Sequence, residues 1–272
     1  MEHILVETKD GVRTLKLNRP ERLNAVNSQL SLEIVQAFKE ASLDDEVRAV
    51  IVTGNGRGFC AGLDLEDLGN RKASEKTRHE TLDDLGWVGH QALGIVQCDK
   101  PVIAAINGVA AGAGFALSLA CDIRFISESA KVTTGYIRRG LSPDAGMSYF
   151  LPRLIGYPKA AELIFTGRDI AAQEAKELGL VNDVLPDDEL YNHALNLAKE
   201  IAAGPPVAMT YSKRLLTASN DIDLTTLLKQ EYLLIQKCFQ TNDVQEGVQA
   251  FLEKRKPVSK VSNYIFCNRY HY

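Results

Sequence analysis

The chain has 272 residues, 45% hydrophobic and 24% charged, with a formal net charge of −4. That length can bury a full core as one large domain or two small ones, and the balance is ordinary for a soluble globular protein. The acidic balance argues against a general nucleic-acid binder, and no apolar run is long enough for a membrane span. Five cysteines without a CxxC pair read as reduced thiols. Met1-Glu2-His3 opens directly into fold-like sequence with no signal peptide, so the cytoplasm is the expected compartment.

In chain order, Arg13–Asn18 reads as the first strand. Gln29–Ala41 places Leu30, Ile34, Ala37, Phe38 and Ala41 at a helical period, with Asn27 or Ser28 as N-cap. Ala49–Thr53 is a short buried strand that runs into the glycine-bearing loop Gly54–Asp64. Gly69–Asp84 is highly charged without clear periodicity and reads as a solvated loop, one able to cover a pocket. His79-Glu80 within it has no second histidine at zinc spacing, so no metal site is expected. Trp87 and His90 begin the next helix. Val102–Asn107 is another uncharged strand, broken by Gly108, Gly112 and Gly114 before helical packing resumes at Phe115-Ala116-Leu117. Asp122–Ile126 and Val181–Val184 read as further strands, and Met147–Ile155 as a helix. Residues 187 to about 255 are helical throughout, with Pro205-Pro206 opening one helix and Leu224–Phe239 and Val244–Arg255 forming two more. No strict sequence repeat is visible, although strand–strand–helix units can recur in space.

Two buried strands therefore end in glycine-bearing turns. A strand that breaks through glycines into a helix N-terminus leaves backbone N–H groups pointing outward, suited to a phosphate or a developing oxyanion. A dinucleotide fingerprint would need a small residue where Leu117 stands, and there is no Gly-Lys-Ser/Thr of a P-loop. A two-donor oxyanion hole fits better. The plainer alternative is that the glycines only make tight turns.

The pairing of FCAGLDL with PVIAAINGVAAGAGFALSLACDI resembles the crotonase superfamily, the enoyl-CoA hydratase/isomerase family. The resemblance runs from about Leu5 to Lys256. It includes Asn18-Arg19-Pro20, Leu151-Pro152-Arg153, Thr166-Gly167 and Gly179-Leu180-Val181. It implies an α/β spiral of strand–strand–helix units over residues 1–185, a helical trimerisation region over 186–256, and a homotrimer or dimer of trimers. Residues 257–272 form a divergent tail. The implied chemistry is acyl-CoA thioester binding, with the enolate held by the amides of Leu63 and Ala113. Alanine replaces the usual glycine at the second position, but its N–H survives. Coenzyme A enters as part of the substrate, and no other cofactor is implied.

Hydratases of this family use two glutamates, whose positions here are Ala116 and Tyr136 within Gly135-Tyr136-Ile137. Alanine transfers no proton, and a tyrosine with an ordinary pKa of ~10 is a poor base at neutral pH. Water addition by that route is not expected. One carboxylate appears instead, Asp144, in Gly140-Leu141-Ser142-Pro143-Asp144-Ala145-Gly146. It would serve as an N-cap of the following helix, or as the single acid/base of an isomerase, the position being one from which family isomerases direct a catalytic aspartate. Isomerisation of a ring-epoxide acyl group would use the same parts. A nucleophilic role, as in aryl-CoA dehalogenases, would need a water-activating histidine, for which His90 is the candidate. A third reading is a non-catalytic fold that binds acyl-CoA or RNA. For substrate binding the resemblance implies Arg22 and Leu23 beside the nucleotide, and Ala61, Gly62, Asp64 and Leu65 along the thioester and pantetheine. Gly112 and Tyr136 fall at the site, and Phe251 and Lys254 at the adenine and phosphates. The metabolic setting implied is that of fatty acids.

Overall fold

The computed structural model describes residues 1–66 and 78–259. Most of the charged Gly69–Asp84 stretch and the tail beyond Ser259 lie outside the described residues. The described strands are β1 (Ile4–Lys9), β2 (Val12–Leu17), β3 (Ala49–Gly54), β4 (Gly58–Cys60) and β5 (Val102–Ile106). They continue with β6 (Val109–Ala111), β7 (Ile123–Ser127), β8 (Lys131–Thr133), β9 (Asp169–Ala171) and β10 (Asp183–Leu185). A six-stranded sheet runs β1-β2-β3-β5-β7-β10, and a four-stranded sheet runs β4-β6-β8-β9. The pairs β1/β2 and β8/β9 are antiparallel and the others parallel.

The expected spiral is present. Each of β3/β4, β5/β6 and β7/β8 sends its first strand into the large sheet and its second into the small one. A helix, Ala113–Leu119, follows β6, and the chain then returns to the large sheet at β7.

Every residue of β3 and β5 is buried, as uncharged runs in a doubly covered parallel sheet require. Val50 is in register with Val102, and Ile51 with Ile103. The period of two then sorts the side chains. Val50, Val52, Ala104 and Ile106 join the cluster holding Leu30, Ile34 and Phe38 of the Ser28–Leu43 helix. Ala49, Ile51, Ile103 and Ala105 face Leu190, Ala194, Ala198 and Ala202 of the Leu190–Ala202 helix. Asn27 caps the Ser28–Leu43 helix, its side chain accepting from the Leu30 N–H at 2.8 Å.

The first helix past residue 187 is thus the second cover of the main sheet. The next, Pro206–Ala218, is tied down by Lys213, which is buried and reaches Asp122 at 2.8 Å and the Lys100 carbonyl at 3.0 Å. The Leu224–Cys238 helix buries no residue, and Tyr232, Leu233, Ile235 and Phe239 are all exposed. Among the described residues no helix is long and apolar enough to cross a membrane, and no cluster of metal-ligating side chains forms.

Candidate active site

Two loops meet at one pocket, and each is set by the strand before it. After β4 the chain turns at Ala61-Gly62-Leu63, held from behind by buried Asn24, whose amide donates to the Asn55 and Gly58 carbonyls at 3.0 and 2.8 Å. The Val26 N–H donates to the Gly62 carbonyl, and the Asp64 N–H to the Val26 carbonyl. These bonds flank Leu63 and leave its own N–H without an acceptor among the described residues.

After β6 the backbone bends at Gly112, with φ +50°, into the Ala113–Leu119 helix. Ala113 opens that helix, so its N–H is one of the donors no helical carbonyl can reach. Close packing makes two glycines obligatory. A Cβ on Gly62 (φ +91°) would sit 2.6 Å from the Ala111 carbonyl oxygen, and only 3.7 Å from the Ala113 nitrogen. A Cβ on Gly114 would collide with the Cys60 carbonyl. The helix start is therefore pressed onto β4, and the two free N–H groups belong to one pocket wall, made by Ala61, Gly62, Leu63, Gly112 and Ala113.

The same pocket is lined by Gly135, Tyr136, Arg139, Leu141 and Asp144, with Leu65 and Val88 adding apolar surface. Asp144 is the one carboxylate among the described lining residues. It is not an N-cap. Gly146 holds that position for the Met147–Ile155 helix with no side-chain cap, and Asp144 contributes only its backbone carbonyl, which accepts from the Met147 N–H at 2.9 Å. Instead the buried Tyr136 hydroxyl donates to Asp144 Oδ1 at 2.8 Å. The residue is open to solvent at the pocket, yet the protein packed around its carboxyl raises the pKa above the ordinary carboxylate value. The Tyr136 bond opposes that rise. Burial and the neighbouring Asp144 raise the Tyr136 phenol, which stays a protonated donor. Ala116 is fully buried and offers no second carboxylate.

Several expected binding residues lie elsewhere. Asp64 is buried and paired with Arg19 at 2.8 Å, a structural bond that holds the loop rather than the pocket wall. Arg22 is ion-paired with Glu66 at 2.6 Å and does not line the pocket. Leu23, in a left-handed conformation with φ +50°, packs on the Gly58 side of the loop. Phe251 is 81% exposed and Lys254 is exposed, so neither belongs to the pocket within this chain. His90 bonds Asp83 at 3.0 Å and is not a lining residue. Conversely, sequence reading passed over Val88, Ala111, Leu141 and Arg139. The only advance signal for Arg139 was its place three residues after Tyr136, in a turn closed by Gly140.

A sequence profile of the enoyl-CoA hydratase/isomerase family matches residues 7–261. The chain is 36% identical over 262 residues to the 1,2-epoxyphenylacetyl-CoA isomerase of Escherichia coli, covering 94% of this chain and 98% of that protein. It is 38% identical over 204 residues to 4-chlorobenzoyl coenzyme A dehalogenase-2 of an Arthrobacter species, covering 75% and 73%. The crystal structure of an enoyl-CoA hydratase from Bacillus anthracis superposes with a TM-score of 0.89 at 38% identity, over 96% of this chain and all of that one. With the spiral of paired strands, the two glycine turns and these likenesses in hand, the chain belongs to the enoyl-CoA hydratase/isomerase family of the crotonase superfamily.

Proposed function

We propose that this protein binds acyl-CoA thioesters and shifts the double bond of an enoyl-CoA, with Asp144 as the acid/base and the amides of Leu63 and Ala113 as the oxyanion hole. The observation that carries this reading is Asp144, the one carboxylate among the described residues of the pocket lined by both free amides. In a 3-enoyl thioester, the Asp144 carboxylate takes a proton from C2. The electron pair passes through the thioester carbonyl, and the resulting dienolate oxygen accepts two backbone N–H bonds. The protonated Asp144 then returns the proton at C4, leaving the 2-enoyl thioester. One group is base and then acid, so no second carboxylate is needed.

Ala116 and Tyr136 stand where a two-glutamate hydratase would need carboxylates, which weighs against water addition. The dehalogenase-like alternative keeps Asp144 as nucleophile, and the Arthrobacter relative favours it. It lacks a histidine among the described residues of the pocket, since His90 is held by Asp83. Ala61, Gly62 and Leu65 would follow the thioester and pantetheine. Arg22 would reach a phosphate only by leaving Glu66, and Phe251 and Lys254 would serve a site on a neighbouring copy. The exposed apolar side chains of Leu224–Cys238 support assembly as a homotrimer or dimer of trimers. No cofactor beyond the thioester's own coenzyme A takes part.

The test is turnover of a panel of 3-enoyl-CoA, 2-enoyl-CoA and aryl-CoA thioesters, with product positions read by NMR and the protein by mass spectrometry. Movement of the double bond without a covalent adduct is the expected result. An aryl ester on Asp144, or hydration as the main reaction, would overturn it.

A further inference from the structure

Arg139 is the second charged side chain on the described pocket wall, and its position is unlike that of the arginines around it. Arg138, its chain neighbour, pairs with Asp169 at 3.0 Å. Arg168 pairs with Glu162 at 3.1 Å and Glu174 at 2.6 Å. Arg139 has no carboxylate partner among the described residues. It makes one bond, from a guanidinium N–H to the Gly135 carbonyl at 3.2 Å, which ties it to another lining residue. It forms no ion pair with Asp144, although both line the pocket. Leu65, Val88 and Leu141 supply apolar surface in the same pocket. A guanidinium in no ion pair, on a pocket whose other described charge is Asp144 and whose surface includes Leu65, Val88 and Leu141, is matched by an anionic group of the ligand, which it binds in a fork of two N–H bonds.

We infer that Arg139 selects acyl groups carrying a second carboxylate, so that the substrates are thioesters of dicarboxylic acids rather than of simple fatty acids. The inference rests on the acyl-CoA reading of the pocket but not on the chemistry at Asp144. The apolar residues would hold the methylene chain, Arg139 the distal carboxylate, and the two amides the thioester oxygen. The second anchor would fix the reacting carbons against Asp144 from the far end.

Unreactive saturated ligands separate this from the reaction. Binding of butyryl-, hexanoyl- and octanoyl-CoA is compared by calorimetry with that of succinyl-, adipoyl- and suberoyl-CoA. Wild type, Arg139→Gln and Arg139→Lys are measured in parallel. Arg139 is exposed, so the glutamine variant keeps the fold, which circular dichroism verifies. In wild type at least one dicarboxylic member should bind about 10-fold or more tighter than its monocarboxylic counterpart. Arg139→Gln should abolish that ratio, and Arg139→Lys should retain part of it. A ratio unchanged by Arg139→Gln would overturn the inference. So would equal weakening of both series, which would place Arg139 on the coenzyme A phosphates. Absence of isomerisation with the selectivity intact would reject the proposed reaction and leave this inference standing.

Discussion

At the scale of single residues, the pairing of Asp144 with Tyr136 would set the pH dependence of the proposed reaction. Loss of solvent raises the Asp144 pKa, and the Tyr136 hydroxyl, bonded to the charged form, lowers it. The acidic limb of kcat/KM should therefore lie above the ordinary aspartate value of about 3.9. Tyr136→Phe removes the lowering influence and should move that limb to higher pH, while the alkaline side stays put. An unmoved limb in Tyr136→Phe would mean that another group controls the rate. The same shift has a stability consequence. The folded protein holds the Asp144 proton more tightly than the unfolded chain, so stability is lost as pH rises from the unfolded value through the folded one. Asp144→Asn keeps the Tyr136 bond and removes that cost, so its Tm should exceed wild type at pH 7. The gap should close below the ordinary aspartate pKa. An equal or lower Tm at pH 7 would count against a carboxyl disfavoured by its surroundings. Asp144 also shows the limit of sequence reading. Pro-Asp-Ala-Gly before a helix has the composition of a cap, and only the position of Gly146 shows that the carboxylate is released for other use.

At the scale of elements, the glycine turns work because the Ala113–Leu119 helix lies directly on β4. Gly114→Ala inserts a methyl group against the Cys60 backbone, which has no side-chain freedom to yield. It should cost about 1–3 kcal/mol, measured by urea unfolding. Gly179→Ala, at a glycine with open space around it, should cost about 1 kcal/mol or less, chiefly from its positive φ. Equal losses in the two variants would deny the close approach. Lys213 makes a similar case, since truncation to Met leaves Asp122 without its cation and should cost about 1–3 kcal/mol. The uncharged strands β3 and β5 were readable because burial on both faces demands an unbroken apolar run. The short strands β4, β6, β8 and β9 were not, for three residues carry no period. β1 was missed although Asp10-Gly11, with φ of 53° and 76°, is a two-residue hairpin turn. Its pattern of one buried and five exposed residues hid it.

At the scale of the whole molecule, the family resemblance located the two loops, and the spiral explains why segments about fifty residues apart meet. What sequence could not supply was the direction each side chain takes once there. Asp64 turns to Arg19 and Arg139 turns to the pocket, although both sit beside motif residues. In the proposed assembly other copies would cover the exposed apolar residues of Leu224–Cys238 and the 81% exposed Phe251. Light scattering should give the mass of three or six chains, and a compact monomer at micromolar concentration would refute that assembly. For the molecule as a catalyst, the most direct measurement is turnover of 3-enoyl-CoA by Asp144→Asn, with binding of a saturated acyl-CoA measured on the same sample. If Asp144 is the acid/base, isomerisation falls by at least ~10² while the affinity stays within a few-fold of wild type. Activity within a few-fold of wild type in a folded, ligand-binding variant would contradict it.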